Sequence, residues 1–194
     1  PPGRAPRPTP PGTNDVMARP LDTELLLLGA GHAQLFVLEA LAARPDLAAR
    51  TLLVTSDEHS LYSGMVPGVI EGRYAPDECR LPVADLARRA GVRVVVQHGV
   101  GLEARERRLD LADGRTVRFR LLSLDVGSTV SGLSVPGVAE HALPTRPLSR
   151  FLERMRTVRY AMRVESPVVV GGGAAGVEIA FTLARGEGRV TLVH

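Results

Sequence analysis

A chain of 194 residues, 44% of them apolar, can bury one large core or one and a half smaller ones, and no apolar run in it is long enough to cross a bilayer. All 24 basic residues are arginine, spread along the sequence against 21 acids for a net charge of +3, so a nucleic-acid partner is not expected. A lone cysteine, Cys79, excludes an internal disulfide and any CxxC or CxxxxC redox pair; with five scattered histidines and no metal-ligand spacing, the chain reads as metal-free and suited to a reducing cytoplasm.

Residues 1–20, PPGRAPRPTPPGTNDVMARP, are proline-rich and nearly free of apolar side chains, which predicts a disordered leader. No signal-peptide layout is present, and Met17, just ahead of the first strand, reads as the natural start. Elements then alternate. Leu25–Leu28 reads as a buried strand, and His32 to about Ala43 as a helix with Leu35, Phe36, Leu38 and Ala42 on its apolar side. Thr51–Thr55, apolar without alternation, has the pattern of a central parallel strand. A long irregular loop follows, SDEHSLYSGMVPGVIEGRYAPDE, rich in glycine and proline. Pro82 to Ala90 is a short helix closed by Gly91, and Val92–Gln97 a third strand.

Three short strands come next, Val100–Glu103, Arg108–Leu111 and Arg115–Arg120, the last two joined at the hairpin signal Asp113-Gly114. The arginines within 105–108 and 115–120 then fall on a solvated hairpin face. Leu121–Val126 reads as another buried strand, ending in Gly127-Ser128. Pro147 to about Tyr160 is a helix with Phe151, Leu152, Met155 and Val158 at helical spacing. At Pro167 the pattern restarts as PVVVGGGAAGVEIAFTLARGEGRVTLVH, a strand, a glycine turn, a helix and a strand. A parallel pair with its crossover helix is only the first part of a domain, so the chain reads as a fragment.

Two strand–turn–helix segments carry glycines at dinucleotide spacing. Gly171-Gly172-Gly173-Ala174-Ala175-Gly176 fits GxGxxG in full. Gly171 permits the tight turn, Gly173 lets a pyrophosphate approach the positive end of the helix, and Gly176 lets the helix pack closely on the strand. The first turn keeps Gly29 and Gly31 but has Gln34 where the third small residue is usual, which implies a slightly wider helix–strand approach. His32 falls at the helix N-terminus; it and Gln34 either meet the ligand or point to loop or solvent. The second strand of the first unit ends at Thr55-Ser56, with Asp57, a carboxylate for a ribose, one step beyond; the equivalent position of the second unit is His194, which leaves NAD and NADP undecided. Two such turns about 140 residues apart suggest two cofactors, a flavin and a nicotinamide held face to face.

These residues resemble the two-dinucleotide-domain flavoproteins, which include disulfide reductases, type II NADH:quinone oxidoreductases and sulfide:quinone oxidoreductases. In that superfamily a three-stranded β-meander precedes an ATG strand end, matched here by residues 100–120 and LLSLDVGST. The chain is most similar to the type II NADH dehydrogenase-like branch often fused to selenide, water dikinase. It shares with that branch a GGGH-type first turn (here GAGHAQ), the loop YSGMVPGVIEGRY from Tyr62 to Tyr74, and the strand LLSLDVGS. The resemblance covers about residues 23–194.

It implies an α/β fold: a Rossmann-like FAD-binding domain over residues 21–145, with parallel sheet and meander, then the truncated start of a Rossmann-like NAD(P)-binding domain over 146–194. Carried over by position, Gly29, Gly31 and His32 lie at the FAD pyrophosphate, Gly64 and Met65 near pyrophosphate and flavin, and Val100 at the adenine through its backbone. Gly127 and Ser128 pack near the FAD. Gly171, Gly173 and Gly176 hold NAD(P)H, with Glu178 near the nicotinamide. Thr55 departs from the usual ribose acid. The resemblance implies an oxidoreductase that passes hydride from NAD(P)H to FAD and electrons to a small-molecule acceptor such as a quinone. It leaves room for a homodimer and for peripheral contact with the inner face of a membrane through a C-terminal part beyond this sequence. The alternative is a non-catalytic nucleotide-binding module, the front end of such a kinase fusion. For the Tyr62–Tyr74 loop taken alone, a surface lid is an equal reading, and Cys79 reads as an unreactive, half-buried thiol.

Overall fold

The computed structural model of the chain describes residues 20–161, 166–186 and 189–194; the expected leader, Pro20 apart, lies outside the described residues, as does the side chain of Val158. In chain order the elements are β1 (Leu21–Leu28), α1 (His32–Ala42), α2 (Pro45–Ala48), β2 (Thr51–Thr55), β3 (Ser60–Leu61), a 3-10 turn at Ser63–Met65, α3 (Val66–Glu71), a 3-10 turn at Pro76–Cys79, β4 (Arg80–Leu81) and α4 (Val83–Arg89). They continue as β5 (Arg93–Val96), β6 (Gly99–Glu103), β7 (Arg108–Leu111), β8 (Thr116–Leu124), α5 (Val138–His141), α6 (Leu148–Ala161), β9 (Val168–Val170), α7 (Ala174–Ala184) and β10 (Thr191–Val193).

Six strands form one sheet in the order β5-β2-β1-β8-β7-β6. The pairs β1–β2, β2–β5 and β1–β8 are parallel, whereas β6–β7 and β7–β8 are antiparallel. The apolar runs of β1 and β2 are continuous because both sheet faces are covered there. Successive side chains alternate: Leu27 and Leu53 pack with Leu38, Leu41, Val83 and Ala87 under α1 and α4, while Leu26, Leu52 and Val54 pack with Leu109, Leu111, Val117 and Phe119 of the meander. The first βα unit runs outward from β1 through β2 to β5, and the chain then returns to β8 on the other side of β1. That reversal at β1/β8 is a topological switch point, where the open carboxyl ends of parallel strands leave a crevice.

A separate parallel pair, β9–β10, carries α7. This helix meets α3 and α6 through Val66, Ile70, Phe151 and Leu152, with Ile179 and Leu183 packed against them, and Arg185 reaches the Glu71 carboxylate at 3.3 Å.

Four expectations change. Residues 115–120 and 121–126 are not two strands: β8 is continuous, and Leu121 and Leu124 are exposed because its second half pairs only with β1. The Gly/Pro-rich loop contains a helix, α3, with Pro67 in its first turn, Val66 and Ile70 buried one turn apart, and Gly72 closing it at φ +80°. On α1, Phe36 is 63% exposed and Ala42 faces solvent, whereas Gln34 is buried beside Leu38 and Leu41. Cys79 is fully, not half, buried.

Candidate cofactor-binding cleft

At the switch point the strand ends are tied into one rim. The Gly29 amide donates to the Val54 carbonyl (2.8 Å), that of Asp125 to Leu28 (2.9 Å), that of Gly31 to Asp125 (3.2 Å) and that of Gln97 to Thr55 (2.8 Å). The cleft above them has a volume of about 770 Å³; its walls include Gly29–His32, Val54–Asp57, Gln97–Gly99, Asp125–Ser128 and Arg146–Ser149. Such a volume and position suit a cofactor-sized ligand.

The first turn is shaped by β8 more than by its own sequence. Gly29 has φ +91°, and a Cβ there would lie 2.1 Å from the Asp125 carbonyl oxygen. A Cβ on Gly31 would lie 2.0 Å from Oδ1 of Asp125. Gly29 is therefore demanded by its φ and by the backbone of Asp125 before any ligand is considered, whereas at Gly31 only the Asp125 carboxylate stands in the way.

Gln34 does not point to loop or solvent. It is 1% exposed, and its Nε2 donates to the Ser123 carbonyl (3.2 Å) and to Ser123 Oγ (3.1 Å). Its backbone N–H donates to Asp125 Oδ2 at 3.2 Å. Gln34 Oε1 is buried without a partner among the described residues. Turning the amide over would set Oε1 against the Ser123 carbonyl, two acceptors facing each other, so the observed orientation is the better one. Gln34 thus fills the gap between α1 and β8 that a third small residue would have closed.

Two sequence motifs meet at the cleft mouth. The exposed His32 ring stacks on Tyr62 (centroids 5.3 Å, planes 21° apart) and meets Phe36 edge-on at 5.6 Å. Within the 62–74 segment, each tyrosine ring folds over a glycine: a Cβ on Gly64 would lie 3.0 Å from Tyr62, and one on Gly68 would lie 2.4 Å from Tyr74. Those contacts, with Gly72 in the left-handed region, account physically for the glycine and tyrosine spacing of YSGMVPGVIEGRY.

Of the residues singled out from sequence, Gly29, Gly31, His32, Gly127 and Ser128 line the cleft. Gly64 and Met65 do not; their neighbours Leu61 and Ser63 do. Val100 stands one step past the lining residue Gly99, as the extra residue of a β-bulge in β6. Gly171, Gly173, Gly176 and Glu178 form the separate second turn. There Gly171 has φ +113°, a Cβ on Gly173 would meet nothing within 4 Å, and one on Gly176 would lie 1.8 Å from the Gly171 carbonyl oxygen. The geometry divides the roles: Gly176 is closed by packing and Gly173 faces open space.

Sequence reasoning missed Asp125, His59, Arg80 and Arg146 in the cleft wall. Asp57 is engaged, accepting the His59 backbone N–H at 2.8 Å, and Arg80 pairs with Asp77. Arg146, half-buried, has no carboxylate partner among the described residues, and nothing local in sequence marked it as part of a site 115 residues after Gly31. Away from the cleft, burial raises the thiol pKa of Cys79, helped by the negative charge of Glu78. Among the described residues no group of three or more His, Cys, Asp or Glu could hold a metal ion, and no helix is long and apolar enough to cross a membrane.

The model of the pyridine nucleotide-disulphide oxidoreductase family matches residues 23–194. The chain belongs to that family. It is 28% identical over 190 residues to an NADH dehydrogenase-like protein of Mycobacterium tuberculosis, covering 88% of this chain and 47% of that relative. The chain thus spans about half the length of the curated relatives it matches. Among solved structures it is similar in fold to the reductase of a covalent putidaredoxin reductase–putidaredoxin complex (TM-score 0.70, 21% identity, 88% of this chain and 42% of that one). It is also similar to a ferredoxin reductase from Rhodopseudomonas palustris (TM-score 0.66, 22% identity, 87% and 42%). Family membership implies FAD and NAD(P)H as cofactors. The cleft residues fit the first: a glycine turn at a helix opening, strand ends held apart to leave about 770 Å³, and on the wall the Arg146 guanidinium, which has no carboxylate partner among the described residues.

Proposed function

We infer that this chain carries the cofactor-binding front half of a flavoprotein oxidoreductase, in which hydride passes from NAD(P)H to FAD and electrons go on to an acceptor such as a quinone. The observation that carries the reading is the pairing, in one chain, of a cleft at the β1/β8 switch point with a second glycine turn whose Gly173 faces open space. Residues 21–145 hold the FAD and residues 146–194 open the nicotinamide unit, with Arg146–Ser149 of the second segment lining the cleft of the first.

Bound FAD supplies the hydride-accepting ring; the protein's task is placement. Backbone amides at the opening of α1 face the diphosphate, Gly127 and Ser128 close the far wall, and Asp57, not Thr55, is the carboxylate available to the adenosine ribose. The Arg146 guanidinium offers a counter-charge. On the second turn, Gly171 and Gly173 take the nicotinamide diphosphate, with Glu178 one turn into α7. One structural neighbour is a reductase joined to putidaredoxin, which makes a protein acceptor the alternative to a quinone.

The test is steady-state NAD(P)H oxidation by the FAD-loaded protein in its longest available form, with a water-soluble quinone as acceptor. Bleaching of the flavin band by NADH or NADPH is the expected result. A flavin that stays oxidised with both removes the oxidoreductase reading.

A further inference from the structure

The first turn contains a feature that a diphosphate site does not call for: a carboxylate of the chain's own, at the helix opening. Asp125 shares the Gln34 backbone N–H, through Oδ2 (3.2 Å), with the Gly31 carbonyl (3.2 Å), and accepts the Gly31 N–H through its own main-chain carbonyl (3.2 Å). Its carboxylate carbon would sit 2.3 Å from a Cβ on Gly31, so the charge lies against the residue that must face the ligand. The buried Gln34 side chain pins the same corner through Ser123, two residues before Asp125 on the β8 segment. The amides of His32 and Ala33, at the first two positions of α1, have no acceptor inside the helix and are the ones left to a diphosphate.

We propose that Asp125 is a positioning residue of this turn with two opposed effects: its hydrogen bond holds α1 against β8, and its charge weakens the hold on a diphosphate. This rests on the reading of Gly29–His32 as a diphosphate turn. An anion near a helix N-terminus interacts favourably with it, and a second anion arriving there meets the first one's repulsion. The shape and the charge separate on substitution. Asp125→Asn keeps an acceptor oxygen for Gln34 and removes the charge; Asp125→Ala removes both.

The experiment is calorimetric titration of the full chain and both variants with FAD, ADP and adenosine, together with thermal melting of the ligand-free proteins. Asp125→Asn, which keeps the acceptor but loses the charge's attraction to the helix opening, is expected to melt slightly lower than the wild type, to bind FAD and ADP about fivefold tighter, and to leave adenosine unchanged. Asp125→Ala, which loses the acceptor as well, is expected to melt lower than Asp125→Asn and to bind all three more weakly than it does. Asp125→Asn that binds diphosphates no tighter than wild type overturns the charge effect, and Asp125→Ala that melts and binds as Asp125→Asn does overturns the positioning. If the wild type takes neither FAD nor ADP, the diphosphate reading itself fails, and the melting of the two variants still decides whether Asp125 positions the turn.

Discussion

Gly173 and Gly176 stand three residues apart, and the geometry assigns them different work. Gly173→Ala places a methyl where no atom lies within 4 Å, at an ordinary φ of −75°. Gly176→Ala places it 1.8 Å from the carbonyl oxygen of Gly171, a backbone atom that no rotamer change can move. Relieving that contact requires α7 to withdraw by more than about 1 Å, an overpacking that costs about 1–3 kcal/mol. Replacing glycine within a helix returns about 0.5–1 kcal/mol, leaving a net loss of about 1.25 kcal/mol at the middle of both ranges. At roughly 2–4 °C per kcal/mol for a chain of this size, Gly176→Ala should melt about 2.5–5 °C lower. Because α7 packs on α3 and α6, its amides should also exchange faster. Gly173→Ala should leave the ligand-free melt and exchange unchanged. Circular dichroism melting and hydrogen exchange on the ligand-free chain read both. Equal losses in the two variants, or a larger loss at Gly173, would refute the division of roles.

Two further outcomes follow from burial. Leu53→Ala empties a fully buried position on β2 under the α1/α4 layer and should lower stability by about 2–5 kcal/mol in urea denaturation; a loss below about 1 kcal/mol would mean the core is not packed as described. Cys79, whose folded pKa is raised by burial, holds its proton to higher pH than the unfolded thiol, so its contribution to stability is complete below about pH 8.5 and shrinks as pH climbs above it. The urea midpoint of the wild type should therefore fall more steeply than that of Cys79→Ala over that range, and the native thiol should react with disulfide reagents slowly; fast labelling of the folded chain contradicts the burial.

What the sequence made legible were elements whose pattern is local. The double-sided apolar runs of Leu25–Leu28 and Thr51–Thr55, the Asp113-Gly114 hairpin and the restart at Pro167 each carry their own signal, and each forms. What it hid depends on distant partners. Apolar residues lie nearly all round α1, so periodicity could not choose its buried face; the choice rests on Leu38 and Leu41 with the bonds of Gln34 to Ser123, 89 residues away. The break expected at Arg120 and Leu121 reflected a change of neighbours, from the meander to β1 alone, along one unbroken strand. Helix α3 escaped because six residues between glycines and prolines are too few to display a period. In the cleft, the glycines were visible, but Asp125, whose backbone dictates Gly29 and whose carboxylate crowds Gly31, read as one more letter of an apolar strand end.

Tyr62 and Tyr74 each lie over a glycine of their own stretch, while Val66 and Ile70 between them are seated against α6 and α7. The stretch is thus fastened twice, by its rings and by its buried face, and adding or removing a single residue inside it would release both at once.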